Sequence, residues 1–272
     1  MKTRKRLPFT IIIGAVLAAL LIIAVALAPL IAPNNPTRVN MALAHEGPSE
    51  QFPLGTDQLG RCVLSRLLYG GRTSLGVTCL VLLITLLIGT VIGTVSGLFA
   101  GRWPDKFLTA VCEVVLAFPG LVLALVISGL LGPGILKVML AIALVSWAKY
   151  ARVVRSLVIG IRKADYMKAA RVAGASTFRL VTRHILPNIG GALGTLVVTD
   201  LGSTILRFAG LSFIGLGAQP PKPEWGMMIN DARLHINSNP MLIIYPILAV
   251  TLSVLAFHLL SDGLRDRLDS KA

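Results

Sequence analysis

The chain has 272 residues, of which 55% are apolar and only 14% charged, and its mean hydropathy is +0.79. The apolar residues form long uninterrupted runs that need lipid or protein on every side, which excludes a soluble globular domain. The 26 Lys and Arg against 12 Asp and Glu give a net charge of +14; they cluster between the apolar runs, so charged loops of a membrane protein account for them and nucleic acid is not expected as a partner.

Lys2, Arg4, Lys5 and Arg6 precede an apolar stretch from Leu7 to Ala32. That stretch exceeds the roughly 7–15 residues of a secretory-signal core. Its one small-x-small site, Ala26-Leu27-Ala28, is followed by Pro29, a poor context for cleavage. An uncleaved first transmembrane helix with a cytoplasmic N-terminus is expected. Testing each apolar run against the roughly 20 residues that cross a bilayer predicts spans near 9–31, 74–100, 107–131, 135–156, 189–214 and 242–262. Gly132-Pro133-Gly134 makes a tight turn between the third and fourth, and Pro187 stands just before the fifth. The expected fold is therefore all-α and integral to the membrane, with about six transmembrane helices.

With the N-terminus inside, eighteen basic residues fall on the cytoplasmic side and seven outside, which favours both termini in the cytoplasm. The organisation expected is a first helix plus external segment over 1–72, a core over 73–264 containing a cytoplasmic loop at 157–188, and a tail at 265–272. Three segments outside the membrane are long enough to act. The external stretch 33–73 begins Pro-rich and ends in Gln58–Tyr69, which has helical character. The cytoplasmic stretch is 157–188, and a second external one spans 216–241.

Within the cytoplasmic stretch Asp165 is a plausible N-cap, and Met167, Ala170 and Ala173 make a small apolar stripe. Gly174 breaks the helix, Ser176 caps a second short one, and Phe178, Val181 and Ile185 continue an apolar face up to Pro187. Two short Arg-rich amphipathic helices fit either of two roles: lying on anionic lipid headgroups, or being presented to a groove in a partner protein.

The residues here resemble the EAA loop of ABC-importer permeases: Ala169-Ala170, three residues, Gly174, nine residues, then an apolar triplet ending in Leu186-Pro187. Lys168 stands where the motif usually has Glu, and His184 where it usually has Ile. Three further stretches are similar to the dipeptide/oligopeptide/nickel branch of that family. They are Leu54-Gly55-Thr56-Asp57-Gln58-Leu59-Gly60-Arg61, with Cys62 in place of the usual Asp; Leu211–Gly217 with Pro220-Pro221 and Glu224-Trp225-Gly226; and Asp262-Gly263-Leu264-Arg265-Asp266 with Leu268-Asp269.

The resemblance implies a subunit that works with a second homologous permease subunit, two ABC ATPase subunits and an external solute-binding protein, in a bacterial or archaeal inner membrane. It implies that Asp165, Lys168, Ala169, Ala170, Gly174, Phe178, Leu186 and Pro187 belong to the ATPase-coupling loop. It also places Asp57, Arg61, Glu224 and Trp225 at the external gate or the binding-protein contact. The chain has no Gly-Lys pair and hence no phosphate loop, so ATP and Mg are expected on the partner ATPase and no cofactor on this chain. Ser146–Arg152 and Trp225–Arg233 look more like nickel-type permeases, which tilts the expected cargo toward nickel or a metal chelate. Dipeptides and oligopeptides are the alternative, and a secondary transporter is the reading outside the branch. No His-Glu-x-x-His or Gly-x-Ser-x-Gly supports a membrane hydrolase.

Glu113, Asp200 and Arg207 fall inside spans, where a charge costs about 2.5–3.5 kcal/mol on insertion scales and so faces protein or a wet cavity. Asp200 and Arg207 are seven residues apart, on one helix face about 10 Å apart along the axis. These two either specify helix packing or line the translocation route, for which Glu113 is a further candidate. His45, His184, His235 and His258 have no metal-ligand spacing, and the odd count of Cys62, Cys79 and Cys112 implies no disulfide framework. Trp103, Trp147 and Trp225 lie near membrane boundaries, as an aromatic belt would place them.

Overall fold

The computed structural model describes residues 9–269, and side chains within 10–264. The N-terminal basic cluster, Lys2 to Arg6, and the last three residues lie outside the described residues, as do the side chains from Arg265 on. Among the described residues there are helices and no strands; the nearest approach to a strand is one isolated bridge between Thr56 and Cys62. This follows from the solvent, since hydrocarbon offers no partner to an open backbone group and a helix satisfies its own. The helices are α1 (Phe9–Ala26), α2 (Ala28–Ile31), α3 (Val63–Leu98), α4 (Trp103–Ala117), α5 (Gly120–Leu131), α6 (Ile135–Arg162), α7 (Asp165–Val172), α8 (Thr177–Leu180), α9 (Leu186–Phe213), α10 (Trp225–Ala232) and α11 (Met241–Asp269).

The expected all-α membrane fold stands, and by length and apolar composition alone fewer than six stretches of the described residues qualify as spans. Three helical stretches are long and apolar enough to cross a membrane, Val63–Leu98, Thr177–Phe213 and Met241–Leu264, and a fourth if α4 and α5 count as one. The apolar helix Thr10–Ala26 is shorter, because Pro29 cannot donate to Val25 and the chain turns at Leu27 before α2. Helix α6 is 28 residues long but carries Lys137, Lys149, Arg152 and Arg155. The expected single span 107–131 is two helices bent by 90°. Phe118 takes an extended conformation (φ −91°, ψ 143°) because the ring of Pro119 disfavours a helical residue before it.

Two further boundaries move. Gln58–Tyr69 is not a separate helix: Asp57–Cys62 is a turn, and α3 runs unbroken for 36 residues, about 54 Å, from the external segment inward. Pro187 does not mark a start either. Helix α8, a π-helical turn at Val181–Ile185 and α9 form one helix, Thr177–Phe213. The π-turn absorbs the missing Pro187 N–H, with Leu186 N–H donating to the Val181 carbonyl.

The chain divides into two compact units. Unit 1 comprises the residues up to Leu80, Ser128–Met139 and those from Val198 onward; unit 2 comprises Val81–Ile127 and Leu140–Val197. In unit 1, α1 lies against α11 through two glycines. A Cβ on Gly14 would come 2.4 Å from the Leu260 nitrogen, and one on Gly263 would come 2.0 Å from Ile11 Cγ1. Ala18, Leu75, Ile205, Trp225, Val250 and Phe257 form its main core.

In unit 2, α3 and α6 meet along Gly89, Gly93 and Gly97, a small residue at every fourth position. The facing residues are Tyr150, Ala151, Val154 and Val158, all at most 2% exposed. Substituting Leu at Gly93 puts a side chain where its Cβ would stand 2.5 Å from the Ala151 carbonyl oxygen. We expect Gly93→Leu to lower stability by about 1–3 kcal/mol in thermal unfolding of the detergent-solubilised protein. Gly76→Ala, which meets nothing within 4 Å, is expected to be neutral or to stabilise by up to about 1 kcal/mol through helix propensity.

Candidate functional site

The 157–188 stretch of unit 2 is built from two short helices joined at Gly174. Helix α7 ends in a Schellman motif: Ala175 N–H donates to the Ala170 carbonyl at 3.0 Å and Gly174 N–H to the Arg171 carbonyl at 3.0 Å. Gly174 has φ +81°, a conformation other residues take at a cost of roughly 1–2 kcal/mol. Ser176 caps α8 as expected, its hydroxyl accepting from Arg179 N–H. Asp165 does not cap α7: Ala164 occupies that position, and the Asp165 carboxylate accepts from Lys168 Nζ at 2.8 Å. Lys168, unusual for the motif, is thus engaged within its own helix.

Met167, Leu180 and Ile185 are buried and, with Val154, Val158, Ile189 and Leu193, form a core that holds the stretch in place. Phe178 does not continue the buried face; it is 78% exposed, and Val172 is 90% exposed. The helical turn from Ser176 to Leu180 directs Leu180 inward and Phe178 outward. Ala169, Arg171, Arg179, Arg183 and Pro187 are exposed around them, while Ala170 and Leu186 are half-buried. Two large apolar side chains and three arginines are thus exposed on an anchored support, which suits docking.

Elsewhere in unit 2 a buried carboxylate gathers α3, α4 and α6. Asp105 accepts from Arg155 Nε (2.6 Å) and Nη2 (2.8 Å), from Ser96 Oγ and from Gly101 N–H. Arg162, at the end of α6, donates to the Gly97 and Leu98 carbonyls that close α3. Spacing gave no sign of Asp105 or Arg162, whose partners lie 50 and 64–65 residues away.

In unit 1 the four residues expected at an external gate or contact are buried: Asp57 at 6%, Arg61 at 3%, Glu224 at 0% and Trp225 at 2%. Asp57 Oδ1 accepts from Leu59 and Arg61 N–H, and its Oδ2 pairs with Arg61 Nε (2.7 Å) and Arg66 Nε (3.3 Å). Asp231 lies 3.7 and 3.9 Å from the same two guanidinium groups. Two acids and two bases thus tie the external turn to α10. Glu224 caps α10, accepting from Gly226 N–H (2.8 Å), Met227 N–H (2.9 Å) and Ser74 Oγ (3.0 Å). Trp225 Nε1 donates to the Leu67 carbonyl, and its ring packs on Gly70 and Gly71. Burial pushes the Glu224 carboxyl above its ordinary value, with the two backbone N–H bonds opposing. Burial raises Asp231 likewise, against the pull of Arg66 and Arg61.

Of the charges expected within spans, Asp200 is buried on α9, and Arg207 on the same helix donates to Ser203 Oγ at 3.3 Å. Glu113 is exposed on α4. Trp103 is exposed and stacked on Phe107 at 5.7 Å, whereas Trp225 belongs to the core. His45 and His235, far apart in sequence, bring their rings within 4.8 Å. Among the described residues no three His, Cys, Asp or Glu side chains are grouped to hold a metal ion.

Among the described residues the chain is all-helical, with long apolar helices and an exposed basic helix pair between two of them. Residues 89–272 match the family described as "Binding-protein-dependent transport system inner membrane component", and the chain belongs to it. Among curated proteins, the glutathione transport system permease protein GsiD of Shigella flexneri serotype 5b is 44% identical over 227 residues, 84% of this chain and 75% of that protein. The GsiD proteins of Escherichia coli and Pectobacterium atrosepticum are 42% and 40% identical over the same shares. None of these names mentions nickel, so the lean toward a nickel-type cargo finds no support in them, and the peptide alternative fits better.

Glu224 generates a pH prediction. A carboxyl whose folded value is raised contributes stability fully below its unfolded value of about 4.5, and loses it as pH rises through the folded value. The stability of the purified protein is therefore expected to gain a falling component as pH rises from 4.5. Glu224→Gln should flatten that component of the thermal-unfolding profile, measured from pH 4.5 to 8.

Proposed function

We propose that the chain is one of two permease subunits of an ATP-driven importer of small peptides, coupled to separate ATPase subunits that bind ATP and Mg and fed by an external solute-binding protein. The observation that carries this reading is the exposure of Val172 and Phe178, together with Arg171, Arg179 and Arg183, on a stretch anchored by Met167, Leu180 and Ile185. Such side chains fit a groove in a partner, as an amphipathic helix lays its apolar face into one. Asp165, Lys168, Ala169, Ala170, Gly174, Phe178, Leu186 and Pro187 then form the coupling segment on the cytoplasmic side. Both termini would lie on that side too.

Helix Thr177–Phe213 has no break between Phe178 and the membrane, so movement imposed on Phe178 by the ATPase passes directly into a spanning helix. Asp57, Arg61, Glu224 and Trp225 serve the external side as a framework, presenting neighbouring exposed residues to the gate or the binding protein. Asp200 and Arg207 stand along the translocation route. Glutathione is itself a tripeptide, and the relatives named for its transport favour the peptide reading of the cargo over nickel or a metal chelate.

Val172→Asp and Phe178→Asp change exposed side chains and leave the anchoring core intact. Each is expected to weaken co-purification with the ATPase roughly 30-fold, the scale of losing a hot-spot residue of about 2 kcal/mol. Binding-protein-stimulated ATP hydrolysis should fall with it. In proteoliposomes, glutathione or a dipeptide should stimulate hydrolysis and nickel should not. A chain that moved solute with no ATPase present would sink the reading.

A further inference from the structure

Unit 2 holds a cavity of about 370 Å³ between α3, α4 and α6, within the range of small-molecule sites at about 300–1,000 Å³. Its polar lining comes from Ser96, Thr109, Cys112, Glu113, Arg152 and Arg155. Ser96, Thr109 and Arg155 all bond to Asp105. Glu113 and Arg152, in contrast, form neither a hydrogen bond nor an ion pair with any described residue. One carboxylate on α4 and one guanidinium on α6 thus line the same cavity without neutralising one another.

Glu113 lies eight residues along α4 from Asp105, about 12 Å, and Arg152 ten residues before Arg162 on α6, about 15 Å, so both are set back more than two helical turns from the polar contacts at those helix ends. Both side chains are exposed, and a carboxylate and a guanidinium without a bonded protein partner in one cavity call for a ligand or water.

We infer that this cavity is a cargo station for a zwitterionic small peptide, with Glu113 receiving the terminal ammonium and Arg152 the terminal carboxylate. The inference rests on the peptide-importer reading above and assigns two of its specificity residues. Charge-assisted hydrogen bonds of this kind hold only a solute carrying both charges, so des-amino and C-terminally amidated peptides lose one anchor each.

The test uses the complete complex in proteoliposomes with its binding protein, comparing uptake of a dipeptide with that of its des-amino and C-terminal amide analogues. The binding protein's own preference is common to all variants and cancels in the comparison. Glu113→Gln is expected to lower the ratio of peptide to des-amino uptake about tenfold, and Arg152→Gln the ratio of peptide to amide about tenfold, the loss of one charged hydrogen bond. A second measurement needs neither charge variant. In a complex carrying Leu108→Cys and Cys79→Ser, the dipeptide should slow maleimide labelling at position 108, and the des-amino analogue should not.

Unchanged ratios in both Gln variants while the dipeptide is still taken up overturn the inference and leave the importer reading standing. So does labelling at position 108 that the dipeptide does not slow. Loss of the second permease subunit from Glu113→Gln preparations, with an unchanged ratio, assigns this face to subunit contact instead. A wild-type complex that moves no peptide at all overturns the peptide reading and this inference together.

Discussion

Close approach of α3 and α6 underlies the arrangement of unit 2. Gly89, Gly93 and Gly97 leave the α3 backbone bare on one side, and Ala151, Val154 and Val158 of α6 lie directly on it. In lipid there is no hydrophobic drive to bring two apolar helices together, so packing of small residues and buried polar bonds must do it. Both are present: the glycine contact is closed at its end by Arg162 on the last α3 carbonyls and by Arg155 on Asp105. Helix α7 begins three residues after Arg162, so the exposed Val172 and Phe178 inherit their position from this pair.

Unit 1 solves a different problem with similar means. Its external segment is largely irregular, so its backbone groups need partners that a helix would have supplied. Asp57 accepts two N–H bonds of its own turn at Oδ1 and, with Asp231, balances the charges of Arg61 and Arg66, and Glu224 closes the start of α10 while holding Ser74. Such buried charges are weak sources of stability and expensive to unpair, and they suit a segment that must hold one geometry. They also explain why the residues most recognisable from the motifs are covered.

The helix breaks are as informative as the helices. At Pro119 the chain turns through 90° between α4 and α5, whereas at Pro187 it continues through a π-turn. The difference lies in the neighbours. Around Pro187, Thr182 and Asn188 donate from their side chains to the Phe178 and His184 carbonyls, and the wider turn re-pairs Leu186. Phe118 adopts an extended conformation and ends α4.

What the sequence by itself determined was the solvent and the family. Apolar runs of membrane length dictate helices, and the Ala169-Ala170, Gly174 and Leu186-Pro187 spacing marks the short helix pair, because these are local properties of composition and turn chemistry. It also located the Gly174 break and the Ser176 cap, both set within a few residues. Tertiary structure decided which side chains face out, since one helical turn separates buried Leu180 from exposed Phe178 and only packing selects between them. It likewise decided the Asp105–Arg155 pair and the Asp57–Asp231 network, whose partners are distant in sequence. The cavity that brings Glu113 and Arg152 together belongs to the same class: each residue is an ordinary helix charge until the fold sets α4 beside α6.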